Sequence, residues 1–589
     1  MKKVVFGWIG KLLDVDLSKM DWKVRKLGEA VLTKFIGGKG LGAYLLYKKS
    51  PKKLDPFSPE NPLIFLTGPL TGLGPASGRF CAVTKSPLTG LFIDTHASGF
   101  LGGEIKRAGF DAILIRGRSK RPCYLWVNDG RCEIRDASQI WGLDTYSAHD
   151  VIMEETDPLA RIAVIGPAGE KLVHFSVILG EKLHACGRGG SGAVMGSKRL
   201  KGIAILGFGS LRIAEPDRFL RITGSLIERA SFSENGTTGG VISANSRGML
   251  PTRNFQETSF EHADNYSPEA LRRYRIRDAT CLNCPRACVK IHRIPGVKDI
   301  SVIQYEGMAM LGPNLGLENV EDMMRAYLEC NLLGLDVISA GSVLAFAAEC
   351  VQRGIIPKEE LMGFTFGKGE FVCDILHTIA ERKGIGDILA QGVKRASEKL
   401  NVPELAVHVK GLEMAAWDPR GLLGLGASYA TADVGASHLR GWPSTREKPL
   451  RSALDVMESL LENRDLKILM DSLIICAFFS VGYQEISELL SSATGHNFDI
   501  GTLKQAALRI DTLIRQYNIE EGLVPERDDT LPRRMMQEVK RGPSEGCKAF
   551  INERDMRLCI KKIYALRGWD ESGRPIKENM IKLGISEFR

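Results

Sequence analysis

Three cysteines fall within eight residues, in Cys281-Leu282-Asn283-Cys284-Pro285-Arg286-Ala287-Cys288. Thiolates at C-x2-C-x3-C spacing converge on one small inorganic centre, so the fold must bring a further ligand to the same point. A [4Fe–4S] cluster takes four soft ligands, usually all cysteine, and Cys330, Cys350, Cys373 and Cys476 are the candidates for the fourth. His292 lies four residues beyond Cys288 and leaves a Cys3His structural zinc site open as the alternative. The total of 13 cysteines is odd, and in a reducing compartment no disulfide framework is expected.

The chain has 589 residues, enough for about three domains. Its longest apolar runs, such as Leu63–Leu66 and Leu473–Val481, are far shorter than the roughly 20 residues of a spanning helix, so no membrane span is expected. Lys11, Asp14 and Asp16 interrupt the opening apolar run, and no cleavage site follows, which makes the cytoplasm the expected location. The net charge of +9 is mild for this length; it suits a solvated surface or an acidic protein partner. No basic stripe with interleaved aromatics points to nucleic acid.

Short β-type runs such as Pro62–Leu66, Ala112–Ile115 and Ile162–Ile165 recur between Gly/Pro/Ser clusters in the first two hundred residues. Past Phe208 the apolar spacing becomes helical, at 216–230, 320–333, 343–353, 370–383, 385–399, 454–461 and 500–517. The expected fold class is α+β. A β-rich domain over 1–208 precedes two mainly helical domains over 209–410 and 411–589, with the second boundary at Lys410-Gly411.

Glycine-rich segments punctuate the first domain at Gly37–Gly42, Gly72–Arg79, Ser98–Gly103 and Gly187–Gly192. Glycine lets main-chain N–H groups approach phosphate oxygens, and nearby Arg or Lys supplies charge. The last segment formally matches G-x-G-x-x-G. It lacks a good preceding strand and a well-placed acidic residue near position 212, so a phosphate-bearing ligand other than a dinucleotide is expected.

These loops, in their order, resemble one family. The runs are Gly78-Arg79-Phe80-Cys81-Ala82-Val83-Thr84-Lys85-Ser86-Pro87-Leu88-Thr89-Gly90, Ser98-Gly99-Phe100-Leu101-Gly102-Gly103-Glu104-Ile105-Lys106-Arg107-Ala108-Gly109-Phe110, Ile165–Glu170 and Ala185–Lys198. With the cysteines, they are similar to the aldehyde:ferredoxin oxidoreductases over nearly the whole chain. The resemblance implies a β-rich base for two molybdopterins that hold one tungsten (or molybdenum), with Mg²⁺ bridging the pterin phosphates. It implies pterin contacts at Arg79, His96, Ser98, Gly99, Ala185, Gly187, Arg188 and Ser437. Two motifs of the form D-x-x-G-L-D/C correspond to Asn331–Asp336, contributing Leu335 and Asp336, and to Asp471–Cys476, contributing Asp471 and Ile475. The terminal cysteine of the second implies Cys476 as the fourth cluster ligand beside Cys281, Cys284 and Cys288.

The resemblance further implies catalytic roles for Glu306 as base and His438 as proton or hydrogen-bond donor to the substrate carbonyl. Trp417 stands where relatives often carry tyrosine, His96 replaces an asparagine and His184 an arginine. An indole offers only an N–H donor and more bulk, which implies a pocket reshaped for an aromatic or bulky substrate, or for another reaction. The implied activity is oxidation of an aldehyde to an acid, with electrons leaving to ferredoxin or a ferredoxin-like iron–sulfur subunit, in a homo- or hetero-oligomer. Two alternatives stand beside it: low-potential reduction of an aryl-CoA ring on the same scaffold, and a catalytically silent electron-transfer subunit.

Overall fold

The computed structural model describes residues 6–443 and 453–586. Twelve strands between Lys11 and Leu206 form two six-stranded sheets. The first runs β2 (Asp21–Lys26), β1 (Lys11–Asp16), β6 (Ala112–Arg116), β3 (Leu63–Leu66), β4 (Phe80–Lys85), β5 (Phe92–Ala97). The second runs β11 (His184–Cys186), β10 (Ile178–Gly180), β9 (Arg161–Val164), β12 (Leu200–Leu206), β7 (Cys123–Asn128), β8 (Arg131–Asp136). β1 is parallel to β6 and β12 to β7, while the other pairings are antiparallel.

Side chains alternate across each strand, and this sets the layers. Leu13, Val15, Leu63, Phe65, Ile113 and Ile115 of the first sheet share a core with Leu125, Val127, Ile203 and Ile205 of the second, so the sheets pack face to face. The intervening Leu12, Ile64, Leu66 and Leu114 belong to the larger core shared with the helices. A strand covered on both faces needs an unbroken apolar run, which is why β3 reads Leu-Ile-Phe-Leu. The helix Thr145–Glu155 covers the outer face of the second sheet through Ala148 and Ile152.

Beyond Leu206 helices dominate, and the molecule is the expected mixture of strand and helix. The spacings at 216, 320 and 500 become the helices Pro216–Glu228, Val320–Leu333 and Ile500–Glu520. The spacing at 370–383 becomes Val372–Glu381 after a short 3-10 turn. The helix expected from 343 starts earlier, at Val337, because the Asp336 carboxylate accepts the Ile338 N–H at 3.0 Å and caps it. The segment 385–399 is two helices, Ile385–Leu389 and Gly392–Lys399, divided where Gly392 adopts φ +82°. The helix expected at 454–461 runs on as Met457–Leu473.

Lys410-Gly411 forms the turn of a small hairpin, His408–Val409 with Leu412–Glu413. Lys410 is buried there, with its Nζ 2.8 Å from Asp529 Oδ1. No helix among the described residues is long and apolar enough to cross a membrane.

Candidate active site

The two D-x-x-G-type motifs dock on the sheet domain in the same way. A Cβ on Gly166 would lie 2.4 Å from Leu333 O, and one on Gly68 would lie 2.4 Å from Leu473 O. Leu333 and Leu473 hold the same place in the two motifs, and only glycine permits such an approach. Each glycine precedes a proline just after a strand, in Thr67-Gly68-Pro69 after β3 and Ile165-Gly166-Pro167 after β9. The duplicated Gly-Pro was a readable signal that the motif reading did not use. Each motif ends its helix in the left-handed region, through Gly334 at φ +76° and Ile474 at φ +65°. An isoleucine pays roughly 1–2 kcal/mol for that conformation, so the turn is kept despite the missing glycine.

Cys281, Cys284 and Cys288 sit between the strands Arg275–Ala279 and Val289–His292. Sheet-domain loops hold the turn: the Leu282 N–H donates to Gly99 O at 3.2 Å, and the Ala76 N–H donates to Asn283 O at 2.9 Å. The Cys476 N–H in turn donates to Ala76 O at 3.1 Å. Burial pushes the Cys281 thiol up to about 12 and the Cys288 thiol up to about 11, and the neighbouring thiols, Cys476 among them, push the same way. Cys330 is raised by burial and by Cys373 instead, and Cys350 by burial with Glu349 and Glu404. His292 is buried among Lys290, Arg275 and Asp278, with no cysteine among the groups that perturb it.

Arg79, His96, Arg188, Asp336 and Asp471 lie in a buried region rich in charge. Arg188 Nε is 3.0 Å from Asp336 Oδ2, and its Nη2 donates to Glu413 O at 2.6 Å. Burial raises the Asp336 carboxyl, against the pull of Arg188. Burial also favours the neutral form of Asp471, yet Lys467, His96 and Arg440 together hold it down to about 2. His96 Nε2 stands 3.0 Å from Asp94 Oδ2, and Asp94 also receives Lys39 and Arg440 at 2.8 and 2.7 Å. Cys81, Asp94 and His96 form the one group among the described residues with three ligand atoms mutually within 4.8 Å, but those two cations already occupy Asp94. Arg79 Nε and Arg188 Nε are buried without a hydrogen-bond partner. Gly187 faces space with no atom nearer than 4.0 Å to a built Cβ. Gly99, after Ser98, adopts φ +97°, and Ala185 pairs with Leu179 in β11. The Leu335 N–H donates to Cys330 O at 2.7 Å, the Ile475 N–H to Met470 O at 2.9 Å, and the Ser437 N–H to Gly435 O at 2.7 Å. Sequence reasoning missed Lys39, Asp94, Asp433, Arg440 and Lys467. Only Lys467, one helical turn before Asp471, carried a local signal.

Glu306 opens the helix Tyr305–Leu311. Its Oε2 accepts the Ala416 N–H at 2.8 Å, and its Oε1 lies 3.2 Å from His438 Nδ1. These last two atoms are close but not aligned for a hydrogen bond, and each is buried without another partner. Burial, with Arg188, Lys467 and Arg440, pulls His438 below its ordinary value, against the charge of Glu306. The imidazole is therefore neutral near pH 7. Glu306, His438, Trp417 and Cys288 line one cavity of about 900 Å³.

An acid–base pair and a cysteine of a thiol-rich loop share one cavity, the layout of an enzyme site, and comparison with known proteins gives the family. Residues 12–207 match the N-terminal domain of aldehyde ferredoxin oxidoreductase, and residues 221–585 match its domains 2 and 3. The chain belongs to the aldehyde ferredoxin oxidoreductase family and is an oxidoreductase of that type. It is 37% identical over 609 residues to a tungsten-containing aldehyde ferredoxin oxidoreductase of Pyrococcus furiosus, covering 99% of this chain and 100% of that one. It is 34% identical over 634 residues to the WOR-like subunit of an aliphatic sulfonate oxidoreductase of the same organism, covering 99% and 98%. Among solved structures, the active-site complex BamBC of benzoyl coenzyme A reductase, bound to 1,5-dienoyl-CoA, superposes with a TM-score of 0.88 at 24% identity, covering 99% and 98%. That likeness establishes the shared fold.

Proposed function

We propose that this chain is a tungsten-dependent catalytic subunit that oxidises aldehydes to carboxylic acids and passes electrons through a [4Fe–4S] cluster to ferredoxin or a ferredoxin-like subunit. One observation carries the reading: the Glu306–His438 pair, 3.2 Å apart, and Cys288 line the same cavity. Chemistry at the pair and an electron exit at the thiols are then neighbours. The reaction consumes an aldehyde and a water and yields an acid, two protons and two electrons, the electrons going to the iron–sulfur acceptor.

Four converging thiols, spread too widely for one ion to gather three of them within 4.8 Å, suit a cluster better than zinc. The orphaned Arg79 Nε and the open face of Gly187 suit the anionic pterin groups, with Asp336 and Asp471 as acceptors for pterin N–H. Mg²⁺ takes oxygen ligands, so main-chain carbonyls rather than the His96 ring would help to hold it. When bound, the tungsten–pterin centre accepts the two electrons.

The protein's own groups handle the protons. The Ala416 N–H fixes one oxygen of Glu306, and the carboxylate lines the cavity as the base that takes a proton from the attacking water. Neutral His438, held against that carboxylate, donates to the carbonyl oxygen. Trp417, with the aromatic groups around it, keeps aryl-CoA ring reduction as the second reading. Anaerobic assay of crotonaldehyde, benzaldehyde and benzoyl-CoA with a viologen dye, alongside tungsten and iron analysis, separates the two. Dye reduction with aldehydes is the expected result, and activity with the thioester alone overturns it.

A further inference from the structure

The cavity beside Glu306 and His438 has an aromatic wall. The Tyr305 hydroxyl donates to Ala416 O, and its ring packs on Trp417 with centroids 4.4 Å apart. Trp417 meets Trp442 edge to face, at 5.2 Å and 82°. The inner member is locked: Tyr305 is buried, and Gly240 lets the main chain close on its ring, since a Cβ there would lie 2.6 Å from Tyr305 Cδ2. The outer members are open. Trp442 is 37% and Phe478 52% exposed, and both line the cavity.

Uncovered indole and phenyl rings beside an acid–base pair offer a surface to a flat apolar group. Two of the nearby cations are engaged by carboxylates. Arg229 holds Glu485 at 3.0 Å and Lys467 holds Asp471. Arg286 donates to Ser231 Oγ at 3.4 Å, its Nε is buried without a hydrogen-bond partner, and its charge acts on Cys284 and Cys288. The exposed faces of Trp442 and Phe478 suit a flat apolar ring.

We infer that the substrate is an aryl aldehyde whose ring rests against Trp442 and Phe478, and that these two residues set the preference for aromatic over aliphatic substrates. The inference takes the aldehyde group from the reading above, while ring recognition stands on the aromatic wall.

The test uses the anaerobically purified holoenzyme. Benzoate and acetate, the product acids, are titrated without turnover by tryptophan fluorescence and calorimetry. Benzoate should bind about tenfold more tightly or better, as expected for stacking plus ring burial. Trp442→Ala and Phe478→Ala should each shrink that ratio several-fold, and Trp442→Phe should keep most of it. Both side chains are partly exposed, so loss of folding is not expected. The ratio of kcat/KM for benzaldehyde over acetaldehyde should fall in parallel. Equal binding of both acids by the wild type, or an unchanged ratio in both alanine variants, overturns the inference. A benzoate preference lost in Trp442→Ala, with no aldehyde turnover by the wild type, keeps the ring site and removes the aldehyde reading. Aldehyde turnover without any ring preference does the reverse.

Discussion

The Cys476 N–H donates to the carbonyl of Ala76 at 3.1 Å, and the Ala76 N–H donates to Asn283 O at 2.9 Å. One residue of the sheet domain, itself at φ +50°, thus joins Cys476 to the loop that carries Cys281, Cys284 and Cys288. Cys476 lies just past the helix Met457–Leu473, far along the chain from that loop, and Ala76 is the residue on which the two segments meet.

Cys476→Ser should lose most of the iron while far-ultraviolet circular dichroism stays close to wild type. Wild-type protein should carry about four irons per chain, as the cluster type requires. One zinc and no iron in the wild type would overturn the cluster assignment.

Gly78→Ala should lower pterin and iron content together. The new Cβ would fall 2.4 Å from Gly99 O and 2.6 Å from Leu282 Cβ, disturbing the pterin-side loop and the cysteine turn at once. Arg79→Ala removes a buried donor with no protein partner and should lower pterin content more than iron. Full pterin occupancy in Arg79→Ala would count against its role. The measurements are fluorescence of the oxidised, released pterin and iron quantification.

Glu306→Gln should cut turnover by roughly 10²–10⁴-fold while keeping both cofactors, the usual worth of general acid–base catalysis. His438→Ala should lose less, since water can enter and donate in place of the imidazole. The pH–rate profile of Glu306→Gln should lose one limb. Unchanged turnover with full cofactor content would move the base elsewhere and favour the aryl-CoA reading.

Acid should destabilise the protein partly through His292. Burial pulls this imidazole down to about 4, whereas the unfolded chain titrates near its ordinary value of about 6.5. Between these values the unfolded state binds a proton that the folded state refuses, so stability falls as pH drops through the window. The loss for this one group is at most about 3 kcal/mol. Denaturant midpoints measured from pH 7 to 4 should fall less steeply in His292→Gln. An identical slope in both proteins would assign the acid sensitivity to other groups.

Local physics was readable in the chain. The unbroken apolar runs of β3 and β6 and the helical spacing at Val320–Leu333 each depend on neighbours a few residues apart. So did C-x2-C-x3-C, because one turn brings its thiols close. Helix ends were less readable. The start at Val337 depends on the Asp336 cap, and the break before Gly392 on a positive φ, neither of which changes the apolar pattern.

What tertiary structure alone decided was which distant residues meet. Spacing left four cysteines open as the fourth thiol, and the resemblance singled out Cys476. The contact itself needs Ala76 as a splint. Glu306 and His438 come within 3.2 Å because Ala416 holds one and the glycine-flanked Gly435–Gly441 loop carries the other. Asp94 and Asp471 are ordinary aspartates in the sequence. They become anchors of a buried charge network because Lys39 and Arg440 arrive from other elements to join His96 on the strand of Asp94 and Lys467 on the helix of Asp471. Residue type records what a side chain can do, but buried charges and unpaired donors are settled only by the groups that the closed chain places around them.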